Sequence, residues 1–198
     1  MTESSFTIET VKGEGTAPYL PNLIELRLSF FRNYPYFYEG NVTDEENYVH
    51  AYARSEHSLL AIAKTGQEVI GVVAGLPLLE SLNENKKLFT HEEISAENAF
   101  YIGEIVISGK NRNSNMEQKL YQEFEKSIRD LKKYNTLLVC EIERKDSKKQ
   151  ENPFSAETSW EERGFVKQPE LSVQYSWQEI GAPTKTDHLM IFWQKKLS

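Results

Sequence analysis

The order of hydrophobic patterns along the chain predicts an α/β fold of the α+β type, a mixed, mostly antiparallel twisted sheet flanked by helices. Segments with strand periodicity and segments with helical periodicity follow each other as β-α-α-β-β-β-α-β-α-β-β. In the middle of this order, a strand, a polar loop, a long amphipathic helix and a second apolar strand predict a βαβ crossover. Such a crossover places one parallel strand pair inside the sheet.

The first half of the chain supplies a strand, two helices and a hairpin. Apolar residues recur at helical spacing after Pro18 and Pro21, and Thr43-Asp44-Glu45-Glu46 fits a capping box that begins a second helix. The turn residues Thr65 and Gly66 separate two apolar segments and predict a hairpin. The predicted elements are a strand at 6–11, a helix from about Leu20 to Phe31, a helix from Thr43 to Arg54, and strands at 58–64 and 69–79.

The second half contains the crossover and a closing hairpin. Residues 80–98 are polar and predict an irregular or helical insertion. Met116, Leu120, Phe124, Ile128 and Leu131 form one stripe of the crossover helix, and Gly164 ends a later short helix. The predicted strands are 100–107, 136–142, 171–179 and 188–195, and the short helix is 157–164.

Composition limits the class of protein. The chain has 198 residues and a net charge of −7, which suits one domain over residues 1–198 and disfavours nucleic acid as a partner. No apolar run approaches the ~20 residues that cross a bilayer, and the polar start does not resemble a signal peptide. With Cys140 as its one cysteine, the chain has no internal disulfide, and we expect a cytoplasmic protein.

Six segments spread along the chain resemble the GNAT superfamily of N-acetyltransferases, in particular a bacterial subgroup. Val106-Ile107 followed by RNSNMEQKL resembles the strand-and-loop motif, in which Arg112 and Leu120 match and Asn115 and Glu117 replace glycines. WEERGF resembles the last helix and turn of the fold. The remaining resemblance lies in FRNYPYFYEG, FYIGE, SVQYSWQEI and MIFWQKKL.

The resemblance implies an enzyme that transfers acetyl from acetyl-CoA to a primary amine of a small molecule or peptide. The pantetheine arm is expected beside the backbone of Val106 and Ile107. The pyrophosphate is expected at Arg112, Asn113, Ser114, Asn115, Met116 and Glu117. No metal is expected, because His50, His57, His91 and His188 lack the paired spacing of a metal site. Membrane association is not expected, and a homodimer is left open.

The pyrophosphate loop departs from the family pattern. Asn115 tolerates the left-handed conformations that glycine adopts, whereas a carboxylate at Glu117 repels a pyrophosphate. Ser114 and Glu117 also fit a capping box, and a self-capped helix has less need of an anion. Lys110, Arg112 and Lys119 supply opposing positive charge. An alternative is therefore a catalytically impaired protein of this fold that binds a ligand or partner.

Glu104 is the candidate general base, a role that the resemblance implies for a glutamate on this strand. An alkylammonium must lose a proton before it attacks a thioester. Alternation places Glu104 on one face with Phe100, Ile102 and Val106, and the alternative is a glutamate that points to solvent. Trp160 stands where relatives use a tyrosine as general acid, and an indole N–H cannot serve as one. The general acid stays open.

The aromatic segment after the first helix is the candidate acceptor site, as the resemblance implies. Tyr34, Tyr38 and Glu39 combine rings and a carboxylate, which suit a cationic amine. The alternative is that these rings belong to the core and that the nearby acids only cap a helix. Cys140 lies between apolar strand residues, where a buried, inert thiol is expected rather than a nucleophile.

Overall fold

The computed structural model describes residues 6–81, 94–109, 114–144 and 160–197. Within these ranges, seven strands form one sheet. They are β1 (Thr7–Lys12), β2 (Leu59–Thr65), β3 (Glu68–Pro77), β4 (Ala99–Ile107), β5 (Thr136–Ile142), β6 (Val166–Trp177) and β7 (Thr186–Lys196). Their order in the sheet is β1-β2-β3-β4-β5-β7-β6. β4 and β5 are parallel and the other neighbouring pairs are antiparallel, which confirms the predicted crossover.

Helices cover both faces of the sheet, as the sequence predicted. They are α1 (Leu20–Phe31), α2 (Val42–Arg54) and α3 (Ser114–Asp130), with short 3₁₀ helices at Gly13–Tyr19, Leu78–Glu80 and Ala96–Asn98. Residues 160–162 are also helical, whereas 157–159 and most of the predicted insertion lie outside the described residues. None of the described helices combines the length and apolar composition needed to cross a membrane.

Two apolar clusters separate the faces. Leu23 and Leu26 of α1 and Val49 of α2 pack on one side of the sheet, with Val72 and Val106 among their neighbours. The α3 stripe packs on the other side, where Met116, Leu120, Phe124 and Ile128 are all buried. Burial of these side chains on opposite faces fixes which way each strand residue points.

The start of α2 differs from the prediction. Asn41 is the N-cap, because its backbone is extended and its side chain accepts a hydrogen bond of 2.9 Å from the Asp44 N–H. Thr43 therefore lies inside the first turn and does not cap the helix. Asn and Thr both accept such bonds, and Asn41 stands two residues earlier, where the chain is still extended.

The parallel pair of strands separates halfway along. β4 and β5 are in register from Ala99–Thr136 to Ile102–Val139 and share no later pair. From Gly103 to Ile107, the edge of β4 that faces β5 has no strand partner in the described part of the chain. Backbone groups on this open edge are free to bond an extended ligand.

A β-bulge at Gly103 corrects the predicted alternation on β4. Ala74 of β3 pairs with Glu104 and the next residue, Gly75, pairs with Ile102, so that Gly103 is an extra residue in β4. Ile102 and Phe100 consequently belong to the α3-facing cluster, whereas Val106 belongs to the cluster under α1 and α2. The prediction that Phe100, Ile102, Glu104 and Val106 share one face was wrong, because a bulge shifts the alternation by one residue.

Candidate functional site

Glu104 lies one residue beyond the bulge, where β4 and β5 separate, and its side chain turns towards α1 and α2. It is 1% exposed. Its Oε1 atom forms an ion pair with Nη1 of Arg27 and a long contact of 3.4 Å with the Tyr52 hydroxyl. Its Oε2 atom has no hydrogen-bond partner among the described residues. A buried carboxylate with one anchored and one unanchored oxygen is suited to accept a proton.

Gly103 allows two tyrosines to approach β4. A Cβ atom at this position would lie 2.2 Å from the Tyr52 hydroxyl and 3.5 Å from the Tyr48 hydroxyl. The first distance is inside van der Waals contact, so no larger residue fits without displacing Tyr52. The bulge and its glycine therefore form the part of β4 that holds Glu104 against α2.

Arg27 connects two buried carboxylates. Its Nε atom pairs with Oε2 of Glu45, and its Nη1 atom pairs with Glu104. The guanidinium carbon lies 4.0 Å from the ring centre of Tyr48 and 4.9 Å from that of Phe31. Both rings are cation–π partners of the guanidinium, and its fork of donors reaches two carboxylates.

Sequence reasoning did not assign Arg27 or the buried position of Glu45. A signal was present, because Arg27 follows Leu23 by four residues and Ile24 by three, within the apolar stripe of α1. Glu45 similarly precedes Val49 by four residues on the buried face of α2. A charged residue at a stripe position indicates a buried ion pair.

The surroundings of Glu104 shift the pKa values of the site. Burial raises the pKa of Glu104, and the positive charge of Arg27 acts in the opposite direction. Burial likewise raises the pKa values of Tyr48 and Tyr52 well above their ordinary value, and the Glu104 charge adds to this effect. Both tyrosines are therefore neutral hydroxyl groups at physiological pH.

Cys140 of β5 lies across the gap from β4. Its Sγ atom is 2.9 Å from the Tyr101 hydroxyl. Burial raises the pKa of the Cys140 thiol to about 12, so it stays protonated and is not a nucleophile at neutral pH. The predicted lack of reactivity agrees with this environment, although the residue is half-buried rather than fully buried.

The connection between α1 and α2, residues 32–41, covers the same end of the sheet. Arg144 holds it by bonds of 2.7 Å to the Pro35 carbonyl and 3.3 Å to the Tyr36 carbonyl, and also pairs with Glu179 at 2.5 Å. The indole N–H of Trp177 donates to the same Tyr36 carbonyl at 3.0 Å. Three side-chain hydrogen bonds thus anchor this connection to the ends of β5 and β6, and the pair with Glu179 holds Arg144 itself in place.

The three residues predicted for the acceptor site occupy different places in this connection. Tyr34 is half-buried, with its ring edge-on to Phe37 at 5.9 Å between ring centres. Tyr38 faces Glu45. Burial raises the Tyr38 pKa, and the negative charge of Glu45 adds a smaller increase. Glu39 is exposed and contacts Arg32 at 3.5 Å. Only Tyr38 reaches the charged cluster around Arg27.

Tyr36, rather than Tyr34, is the ring of this connection that turns inward. It packs edge-on against Phe31, with the ring centres 4.7 Å apart. Burial raises the Tyr36 pKa, and the nearby charges of Glu141 and Glu104 add to that shift. Its hydroxyl therefore shares the neighbourhood of Glu104.

The predicted cofactor residues divide into three groups. The side chains of Val106, Ile107 and Met116 are buried in the core, which leaves only their backbone for a ligand. Asn115 is exposed at the first turn of α3. Arg112, Asn113 and the Ser114 side chain lie outside the described residues.

Glu117 is held by a basic partner that the sequence did not reveal. Arg163 donates from Nη2 to Oε1 of Glu117 at 2.6 Å. The predicted capping box, in which Glu117 bonds back to Ser114, does not account for this contact. Arg163 also lies 5.2 Å from the ring centres of both Tyr121 and Trp160. The Glu117 carboxylate is thus neutralised in place, which reduces its repulsion of an anion.

Trp160 has the predicted core position. It is buried and packs edge-on against Phe165 at 5.1 Å between ring centres. Among the described residues, no group of three His, Cys, Asp or Glu side chains is placed to hold a metal ion.

Two cavities flank these elements. One of about 10 Å³ is lined by Tyr48, Tyr52 and Tyr101, beside Glu104, and is close to the space that one water molecule needs. The other, about 440 Å³, lies along the outer side of α3, away from Glu104. Its charged groups pair with each other, since Glu125 binds both Arg129 and Lys195. We therefore place the candidate site at Glu104 rather than in the larger cavity.

Comparison with known proteins identifies the class of fold. No family model and no curated protein sequence matches the chain. Solved structures do match. A ribosomal-protein-alanine N-acetyltransferase from Brucella melitensis is 13% identical, with 96% of this chain and 99% of that chain covered and a TM-score of 0.62.

Two further structures agree. A GNAT-family acetyltransferase from Staphylococcus aureus is 16% identical, with 97% of this chain and 100% of that chain covered and a TM-score of 0.60. A proposed acetyltransferase from Salmonella typhimurium, solved with its cofactor acetyl-CoA, is 10% identical, with 98% and 95% covered and a TM-score of 0.64. The chain therefore has the GNAT fold.

Proposed function

We propose that the protein transfers an acetyl group from acetyl-CoA to a primary amine of a small molecule or peptide, with Glu104 as general base. One observation carries the proposal: a buried carboxylate lies where β4 and β5 separate, with Oε1 anchored and Oε2 without a partner. Oε2 would take the proton of the ammonium group, directly or through water, and so release the amine lone pair.

The residues of this chain offer a place for acetyl-CoA, which would supply an activated acetyl group as a thioester. The unpartnered backbone edge of β4, which includes Val106 and Ile107, would bind the pantetheine arm as an added strand. The first turn of α3, with Asn115, Met116 and Glu117, would face the pyrophosphate with the positive end of the helix dipole. Arg112, Asn113 and Ser114 belong to the same proposed site.

The acceptor would approach from the α1–α2 connection. Tyr34, Tyr38 and Glu39 remain the proposed wall of this side of the site. Tyr36 and Tyr48 add aromatic surface close to Glu104, which favours a cationic amine before it loses its proton. Because one structural neighbour is a ribosomal-protein-alanine N-acetyltransferase, a peptide with an N-terminal alanine belongs in the first panel of acceptors.

A binding protein without turnover is the second candidate. Glu117 stands in the first turn of α3 where the family pattern has glycine, and Trp160, which stands where relatives use a tyrosine as general acid, is a buried core residue packed against Phe165. Replacement of Asn115 and Glu117 by glycine separates the two candidates. A strong rise in CoA affinity from nearly none would identify the native loop as degenerate.

Calorimetric titration with acetyl-CoA tests the proposal directly. We expect saturable binding, and weaker binding of pantetheine, which lacks the pyrophosphate. Absence of heat at millimolar acetyl-CoA would rule out the proposed function. Where binding is found, acetyl transfer to each amine of the panel is then measured by the free CoA thiol that the reaction releases.

A further inference from the structure

We propose that Arg27 and Glu45 are positioning residues for Glu104: Glu45 orients the Arg27 guanidinium, and Arg27 anchors one Glu104 oxygen so that the other is presented to the acceptor amine. This inference rests on the proposed function, and it assigns a role to two residues of α1 and α2.

The geometry of the guanidinium is the first argument. Arg27 uses its Nε edge for Glu45 and its Nη1 atom for Glu104, so each carboxylate constrains the rotation of the other through a planar group. Phe31 and Tyr48 contact the guanidinium as cation–π partners. An arginine restricted by its donors and by its faces is a rigid support.

The unequal environment of the two Glu104 oxygens is the second argument. Arg27 and Tyr52 both contact Oε1, whereas Oε2 has no partner among the described residues. A carboxylate held only for stability is normally satisfied at both oxygens when it is buried. The arrangement instead keeps one acceptor lone pair available at a site where the neighbouring strands separate.

Charge is the third argument. Arg27, Glu45 and Glu104 are buried, and together they comprise two carboxylates and one guanidinium. Glu45 therefore competes with Glu104 for the single positive charge. Removal of Glu45 should leave Arg27 entirely to Glu104, and removal of Arg27 should leave Glu104 next to an uncompensated negative charge.

Other titratable groups near Glu104 could also change charge with pH and must be considered in the test. They come from α2, from the α1–α2 connection and from β5, and they stay protonated over the neutral range because burial raises their pKa values: Tyr48, Tyr52, Tyr36 and Cys140. Glu141 of β5 is a further carboxylate of this neighbourhood, and its charge acts on Tyr36 and Cys140. None of these groups is altered in the proposed variants.

Opposite shifts of one pH profile test the inference. In the full-length protein, the acidic limb of kcat/KM against pH should move to lower pH in Glu45→Gln. It should move to higher pH, by about one to three units, in Arg27→Met. Glu46→Gln is the matched control, because it makes the same chemical change at the next residue of α2 on an exposed side chain. If Arg27 and Glu45 had only a structural role, their variants would lose activity, but the acidic limb would not shift in opposite directions in the two variants.

A second measurement avoids dependence on activity and on the stability of one variant. The Glu104 side-chain carboxyl resonance, assigned in ¹³C-labelled protein by its loss in Glu104→Gln, should titrate lower in Glu45→Gln than in the wild type. If Arg27→Met does not fold, Arg27→Lys keeps the charge and removes the fork. Arg27→Lys should lower turnover. Its acidic limb should stay closer to that of the wild type than a variant without the positive charge would, because lysine keeps that charge next to Glu104.

The outcomes separate the inference from the function. If Glu104→Gln loses turnover but Glu45→Gln leaves both the limb and the Glu104 titration unmoved, the positioning role is overturned and the proposed function stands. If Glu104→Gln keeps wild-type turnover, the base is wrongly assigned and the positioning role is lost with it. Opposite shifts together with loss of turnover in Glu104→Gln support both.

Discussion

Arg163 donates a hydrogen bond of 2.6 Å to Glu117, which ties the chain just before β6 to the first turn of α3. Both side chains are largely buried, with 15% and 18% of their surface exposed. The contact places a guanidinium next to the helix end where an anion is proposed to bind. The Glu117 charge is balanced by this partner from a distant part of the chain, and Glu117 therefore repels an anion less than the sequence alone suggests.

Glu117→Gln should strengthen acetyl-CoA binding. The change removes a negative charge beside the proposed pyrophosphate, and we expect a gain of up to about tenfold, or ~1.4 kcal/mol. Calorimetry at low and moderate salt measures it, and the gain should shrink as salt screens the charges. Glu123→Gln, on the same helix and more exposed, is the control. Weaker binding in Glu117→Gln would contradict the prediction.

Glu104→Gln should lower kcat/KM by ~10²–10⁴-fold while the affinity for acetyl-CoA stays unchanged. The amide keeps the shape of the carboxylate and still accepts a bond from Arg27, but it does not take up the proton. Higher pH should restore part of the rate, since more of the amine then arrives deprotonated. Wild-type turnover at neutral pH would remove Glu104 from the mechanism. A variant that unfolds would indicate a structural role instead.

The free energy of unfolding should depend on pH through the titration of Glu104. Burial raises its pKa above the ordinary value of 4.5, so the folded state binds its proton more tightly than the unfolded state does. The stabilising contribution is therefore complete below pH 4.5 and is lost as the pH rises through the folded pKa. The free energy of unfolding of Glu104→Gln minus that of the wild type should grow with pH in that window. Denaturant unfolding at several pH values measures it, and a difference that falls with pH would refute it.

Gly103→Ala should destabilise the protein by about 1–3 kcal/mol and impair turnover, because the new Cβ would meet the Tyr52 hydroxyl at 2.2 Å. Tyr52 is buried and cannot move away without disturbing Glu104. Thermal unfolding and kcat together report both effects. Gly15→Ala is the matched control, since its Cβ would meet only Val11 at 3.7 Å. Equal stability of the two variants would show that the bulge tolerates a side chain.

Arg144→Met should loosen the α1–α2 connection. Arg144 bonds two carbonyls of this connection and Glu179, and its loss leaves Trp177 as the remaining anchor of the Tyr36 carbonyl. Faster amide exchange is expected at Tyr36 and Tyr38. Arg32→Met should have little effect, because Arg32 makes one exposed contact of 3.5 Å with the same connection. Unchanged exchange in Arg144→Met would contradict this account.

The local patterns of the chain determine its elements and their order. Strand 136–142 was predicted with the bounds that β5 has, because a short apolar run between polar residues leaves little choice of ends. The parallel crossover and the α3 stripe followed from spacing alone, except at Leu131, which lies just beyond the end of α3 and is exposed. Element order and apolar spacing depend on neighbours in sequence, and for this reason they can be read without tertiary contacts.

The site was predictable only in part. Glu104 was singled out because the resemblance implies a base on this strand and because alternation placed it among apolar residues, and the structure buries it. The alternation argument was wrong, since the Gly103 bulge shifts the alternation of β4, and a bulge depends on how β3 and β4 pair. Whether Glu104 acts as a base, and whether the loop residues bind CoA, stay predictions.

Charge pairing was decided by the tertiary structure alone. Arg27 and Glu104 meet because α1 packs on the face to which the bulge turns Glu104, and Arg163 and Glu117 meet because the chain before β6 returns to α3. The sequence by itself determined that these charges exist and that Arg27 interrupts an apolar stripe. It did not determine their partners, because an ion pair between distant residues depends on which helix faces which strand, and burial then makes that pairing strong.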